Sequence, residues 1–122
     1  MKILLKRAYD TASPQDGFRV YVDRLWPRGL SHDTFHYDLW DKDIAPSTEL
    51  REWFHQNLKD NSGTTGVWQT FEQRYLDELK SNPAFSALQK TIASHNTVTL
   101  LYSSHDKAHN NAVVLAKALS DD

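Results

Sequence analysis

Two stretches of this 122-residue chain gather side chains whose types and spacing could do chemistry. The first is Asp23, Arg24, Trp26 and Arg28, in the run Asp23-Arg24-Leu25-Trp26-Pro27-Arg28-Gly29. Two guanidiniums held apart by a rigid Trp-Pro unit can grip a phosphate or carboxylate bidentately, with the indole free to stack on a ring or a cation. The same residues also suit a structural role, with Arg24 paired to an internal carboxylate such as Asp38 or Asp41 and Trp26 packing the loop. Arginine is rarely buried without a partner, and the sequence leaves both readings open.

The second stretch is Ser103, Ser104 and Asp106, followed by His109, Asn110 and Asn111. Free amides at a helix start attract anions, and two hydroxyls beside them would complete a small oxyanion or phosphate cradle. Ordinary capping by Ser104 or Asp106 is the competing reading, and the glycines of a phosphate loop are absent. For proton transfer the groups to test are His109, Asp106 and Asp23, His109 first because it titrates nearest neutrality. Asn111 falls near the apolar stripe of its helix and needs a partner inside. It either ties the Arg24 to Arg28 loop to the helix, making the two stretches one pocket, or secures a neighbouring backbone. His105 and His109 are four residues apart, as are His32 and His36, but no glutamate completes a metalloprotease pattern, so neither metal nor cofactor is expected.

These groups must be positioned by regular elements. Lys2 to Arg7 reads as a short buried strand, and Phe18, Val20 and Val22 alternate with Arg19, Tyr21 and Asp23 as a second. The two are expected to lie side by side. Trp26-Pro27 ends the second strand, and Phe35, Tyr37 and Leu39 give a third a weak signal. Pro46-Ser47 opens a helix carrying Leu50, Trp53, Phe54 and Leu58 on one face. Beyond a connection at Asn61 to Gly66, Trp68, Phe71, Tyr75 and Leu79 mark a second helix, and Asn82-Pro83 starts a third with Phe85, Leu88 and Ile92. Thr97 to Tyr102 is a strand, which Ser103-Ser104-His105-Asp106 connects at once to a helix running to about Leu119. This alternation predicts one small single-domain α/β fold over residues 1–122, a largely parallel sheet with flanking helices. In such sheets ligands settle beyond the carboxyl ends of the strands, where both polar stretches fall.

Composition narrows the function classes. No cysteine is present, which removes disulfides, thiolate metal sites and thiol nucleophiles. The first nine residues hold only Ile3, Leu4 and Leu5 as an apolar stretch, short of a signal core or membrane span, so a soluble cytoplasmic protein is expected. With 14 basic and 16 acidic residues the net charge of -2 argues against nucleic acid as a partner.

The run from Asp23 to Gly29, then Asp38 to Ser47 with Trp40, Lys42 and Ala45-Pro46-Ser47, then Leu50-Arg51 and Trp53-Phe54, resembles the YeaO-like branch of domain-of-unknown-function family 488. Phe71, Arg74-Tyr75, Glu78-Leu79, Thr99 to Tyr102, Asp106 and His109-Asn110-Asn111-Ala112 extend the likeness over nearly the whole chain. Ser103-Ser104-His105 and the polar stretch from Asn57 to Gly66 depart from that pattern. The resemblance implies an α/β fold and a cytoplasmic bacterial protein, and brings no established substrate or reaction. The residues themselves favour binding of a small anionic ligand, phosphate- or nucleotide-like, at the carboxyl ends of the strands, with hydrolase or transferase activity left open. Arg24, Trp26, Arg28, Ser103, Ser104, Asn110 and Asn111 would hold it. A noncatalytic module for protein or nucleic acid is the rival, and oligomeric state is not written in the sequence.

Overall fold

The computed structural model describes residues 1–60 and 64–121. Strands β1 (Lys2–Arg7), β2 (Phe18–Tyr21), β3 (Leu39–Trp40) and β4 (Thr97–Tyr102) form one sheet in the order β1-β4-β2-β3, every pairing parallel. Helices α1 (Thr48–Asp60), α2 (Thr64–Lys80) and α3 (Pro83–Ile92) come between β3 and β4, and α4 (Asn111–Asp121) follows β4. The small parallel α/β domain expected from the alternation of elements is therefore present.

The expected side-by-side placement of β1 and β2 is not: β4 lies between them, with Leu5 and Val20 both opposite Leu100. The reason is burial. Val98 to Tyr102 are all buried, so this strand needs cover on both faces and neighbours on both edges, whereas β1 keeps Lys2 and Leu5 exposed and suits an edge. Gly17 makes the close approach possible. It adopts φ +65, and a Cβ there would overlap the Thr97 carbonyl.

The period-two pattern sorts side chains into two cores. Val20, Val22, Val98, Leu100 and Tyr102 meet Leu50, Phe54, Phe71, Tyr75, Leu88, Ile92 and Leu115 from the four helices. The opposite face holds Tyr21 and Leu101 with Ala8 and Phe35, covered by Trp26, Leu30 and Tyr37 from the segment that joins β2 to β3 and by Trp40 of β3. Among the described residues no helix contributes to this second core. On the same face Asp16, 3% exposed, pairs with Arg19 and with Lys6 at 3.1 Å, while Thr99 donates to the Asp16 carbonyl at 2.7 Å. Burial pushes the Asp16 carboxyl up, but the Ser13 amide, Lys6 and Arg19 together outweigh it, and the pKa ends below the usual value.

Helix starts follow local chemistry. Ser47 Oγ accepts from the Leu50 amide at 3.1 Å to begin α1, and the Asn82 side chain accepts from the Ala84 amide before Pro83 begins α3. Of the connection expected at Asn61 to Gly66, Thr64 to Gly66 already belong to α2, and the rest lies outside the described residues. The last helix begins at Asn111 rather than near Asp106, because two polar caps follow one another. Asp106 Oδ1 accepts from the amides of Ala108 and His109, each at 2.9 Å, and Asn110 Oδ1 then accepts from Val113 at 3.0 Å.

Candidate functional site

The carboxyl ends of β1, β2 and β4 bring the two polar stretches together, through a carboxylate. Asp23 Oδ2 accepts from the Ser103 amide at 2.9 Å and from the Ser103 hydroxyl at 2.6 Å. Its backbone carbonyl accepts from the Trp40 indole at 2.8 Å, so the end of β2 is held by β3 on one side and by the loop after β4 on the other. Asn111 Nδ2 donates to the Val22 carbonyl at 3.1 Å, joining the first turn of α4 to the same strand end. The more buried amide is its neighbour Asn110, 3% exposed, which also donates to the Asp106 carbonyl at 2.8 Å.

Several backbone polar groups of Ser103 to His109 are taken by the protein itself. Ser104 Oγ accepts from the Asp106 amide at 3.1 Å, and Asp106 Oδ1 takes the Ala108 and His109 amides. Burial opposes ionisation of Asp106, but those amides and His109 prevail and hold its carboxyl below the usual value. His109 Nδ1 lies 3.1 Å from Asp106 Oδ2, and its ring meets Trp68 edge-on at 5.0 Å. Arg7 Nε donates to the Ser104 carbonyl at 2.9 Å, and its Nη2 donates to the Ser103 carbonyl at 3.2 Å and lies 3.5 Å from His105 Nδ1.

Neither arginine of the first stretch bonds to Ser103–Asp106 among the described residues. Arg24 Nη2 donates weakly, at 3.4 Å, to the carbonyls of Ala45 and Pro46 just before α1, and its buried Nε has no partner among the described residues, nor has that of Arg51. Beside it, Glu78 accepts from the Ser47 amide at 2.9 Å and the Ser47 hydroxyl at 2.6 Å, and the Tyr75 hydroxyl donates to the Ile44 carbonyl at 2.6 Å. Burial raises the Tyr75 pKa well above its ordinary value, and the charges of Asp23, Glu78 and Asp41 raise it further against Arg24. Tyr75 is therefore fixed as a hydrogen-bond donor.

Trp26 is half-buried. Its Nε1 donates to the Leu30 carbonyl at 2.7 Å, its ring stacks on His32 at 3.9 Å, and Phe35, Tyr37 and Trp40 surround the rest. Arg28, in contrast, is exposed, and its guanidinium has no ion pair among the described residues. Its carbonyl accepts from the Tyr9 hydroxyl at 2.8 Å, and Arg7 lies over the Tyr9 ring at 4.7 Å. Arg28, Tyr9, Arg7 and His105 thus form a chain of contacts along the rim.

Sequence reasoning did not find Arg7 or Tyr9. The signal was a basic residue directly after an apolar run, but it has meaning only once β1 is known to lie beside β4, where Arg7 stands opposite Tyr102. Among the described residues no group of three or more histidine, aspartate or glutamate side chains is placed to hold a metal ion.

Fold and site together define a small parallel α/β domain whose central strand-to-helix junction is capped by its own carboxylates. Residues 2–122 match a family model described as the inactive DUF488-N3 subclade, and the chain belongs to that family. It is 43% identical over 116 residues to the uncharacterized protein YeaO of Escherichia coli (strain K12), covering 95% of each chain. It is 35% identical over 119 residues to the uncharacterized proteins Rv3073c of Mycobacterium tuberculosis (strain ATCC 25618 / H37Rv) and Mb3100c of Mycobacterium bovis, covering 98% of this chain and 94% of theirs. No solved structure matches significantly. No helix among the described residues is long and apolar enough to cross a membrane.

Proposed function

We propose that this chain is a noncatalytic binding protein that takes a small anionic ligand, phosphate- or nucleotide-like, at the carboxyl ends of its strands. The observation that carries the reading is the occupancy of the Ser103 amide and hydroxyl by Asp23. A cradle that would stabilise charge developing on a substrate must be open to that substrate, and this one holds a carboxylate already. Cationic donors remain on the rim at this end of the sheet, Arg28 above all, with Lys107 exposed two residues after His105. A guanidinium suits an anion that arrives from solvent and needs positioning without chemistry. The family description as an inactive subclade agrees with a binding role.

A thermal-shift panel of inorganic phosphate, sugar phosphates and nucleotides tests it. At least one of these raises the melting temperature of the parent, and Arg28→Ala abolishes that rise while leaving the ligand-free melting temperature unchanged. No shift across the panel, or an equal shift in Arg28→Ala, refutes the reading.

The 3.1 Å contact of His109 with Asp106 supports a second reading, hydrolase or transferase chemistry with His109 as the base and Asp106 orienting it. Turnover of a phosphate ester that disappears in His109→Gln would establish that reading in place of the first.

A further inference from the structure

We propose that the groove between the β3 edge and α3 is a docking site for a basic, extended segment of a partner protein. It lies apart from the arginine rim and does not depend on the reading above.

Two adjoining concavities of about 380 and 510 Å³ share Asp41, Asp43 and Ala87. Leu39, Trp40 and Leu88 line the first, and Asn82, Pro83 and Ala84 the second. β3 is the terminal strand of the sheet and only two residues long, and no strand among the described residues covers its outer edge. An extended chain can add to such an edge through main-chain hydrogen bonds, with alternate side chains entering pockets on either side. The facing wall fits this use, because α3 presents the short side chains of Ala87 and Thr91 to solvent and leaves width for a backbone.

Charge selects the occupant. Asp41 and Asp43 make no ion pair among the described residues, and Lys42 is turned onto the Trp40 ring at 4.2 Å. Burial raises the Asp41 pKa, and the neighbouring Asp43 charge raises it further against the Ile44 amide. A docking ammonium or guanidinium would relieve that cost, whereas a phosphate backbone would be repelled, which excludes nucleic acid. The apolar lining favours β-branched residues between the basic ones.

The probe is an acetylated, amidated Lys-Val-Lys-Val-Lys peptide titrated into the whole chain and followed by amide chemical shifts. We expect shifts confined to Leu39–Asp43 and the α3 residues Ala87 and Thr91. Asp41→Asn with Asp43→Asn weakens binding at least tenfold, Ala87→Arg blocks it from an exposed helical position that does not disturb the fold, and Arg28→Ala leaves it unchanged. Failure of the peptide to bind overturns the proposal, as does equal binding of the Gln-Val-Gln-Val-Gln analogue or shifts that map elsewhere. Equally tight binding of agmatine would make the groove a small-cation site and overturn it too, as would a dimer of this chain that buries the groove.

Discussion

Replacing Asp23 with alanine removes the one acceptor shared by the Ser103 amide and the Ser103 hydroxyl. Hydrogen bonds to a charged acceptor contribute about 1.5–3 kcal/mol each, and solvent access to this half-buried carboxylate reduces their sum to about 2–3 kcal/mol. In a domain of this size each kcal/mol moves the melting temperature by about 4 °C, so Asp23→Ala should melt about 8–12 °C below the parent. The variant also opens a cavity lined by an amide and a hydroxyl that previously held a carboxylate. Acetate can fill it. At tenfold excess over its dissociation constant a ligand returns about 1.4 kcal/mol, or about 6 °C, and the parent gains nothing because its own side chain occupies the place. Differential scanning fluorimetry of both proteins across an acetate series, with chloride at equal ionic strength as control, reads the effect directly. A variant melting within 2 °C of the parent, or an acetate gain equal in both proteins, refutes the self-occupied cradle and removes the main support for a noncatalytic reading.

Asp16→Asn should lose about 3–5 kcal/mol in urea unfolding, because Lys6 and Arg19 then face each other across a buried site without their shared anion. The folded pKa of Asp16 is depressed, so its contribution is present above the unfolded value of about 3.9 and is lost as pH falls through the folded value. The acid limb of melting temperature against pH should accordingly be shallower in that variant. Asp41 has the opposite sign: its raised folded pKa makes the charged form a cost at neutral pH, and Asp41→Asn should raise the melting temperature at pH 7 but not below pH 4. Gly17→Ala should cost more than about 3 kcal/mol because its Cβ meets the Thr97 carbonyl, whereas Gly29→Ala, with φ +87 but open space around it, should cost about 1 kcal/mol in the same assay. Tyr75→Phe leaves the Ile44 carbonyl without its 2.6 Å donor and should cost about 1–3 kcal/mol by chemical unfolding.

Periodicity made most of the elements legible. The apolar runs at Lys2 to Arg7 and Thr97 to Tyr102, and the aromatic steps from Trp68 to Leu79, mark elements whose burial depends mainly on local pattern. Strand order was not legible, since adjacency of β1 and β4 is a pairing across more than ninety residues that no local signal carries. The start of α4 was misread for a related reason. Asp106 and Asn110 are both good caps, and only the three-dimensional course shows that the first caps a turn and the second the helix. At the candidate site the meeting of the Asp23 stretch with the Ser103 stretch followed from both lying after strands. That they meet through Asp23 while Arg24 points to Ala45 and Pro46 depends on where α1 enters, which the sequence does not encode locally.

The central position of β4 also governs how the molecule can assemble. The strands that flank it, β1 and β2, do not touch each other, so until residues 97–102 have been synthesised β1 has no sheet partner and β2 has only the two-residue β3. Truncation before Thr97 should therefore yield an aggregation-prone fragment rather than a smaller folded unit. The charged edge of β1, with Lys2 and Lys6 flanking Ile3, Leu4 and Leu5, is well suited to keep such waiting strands from pairing with each other between chains.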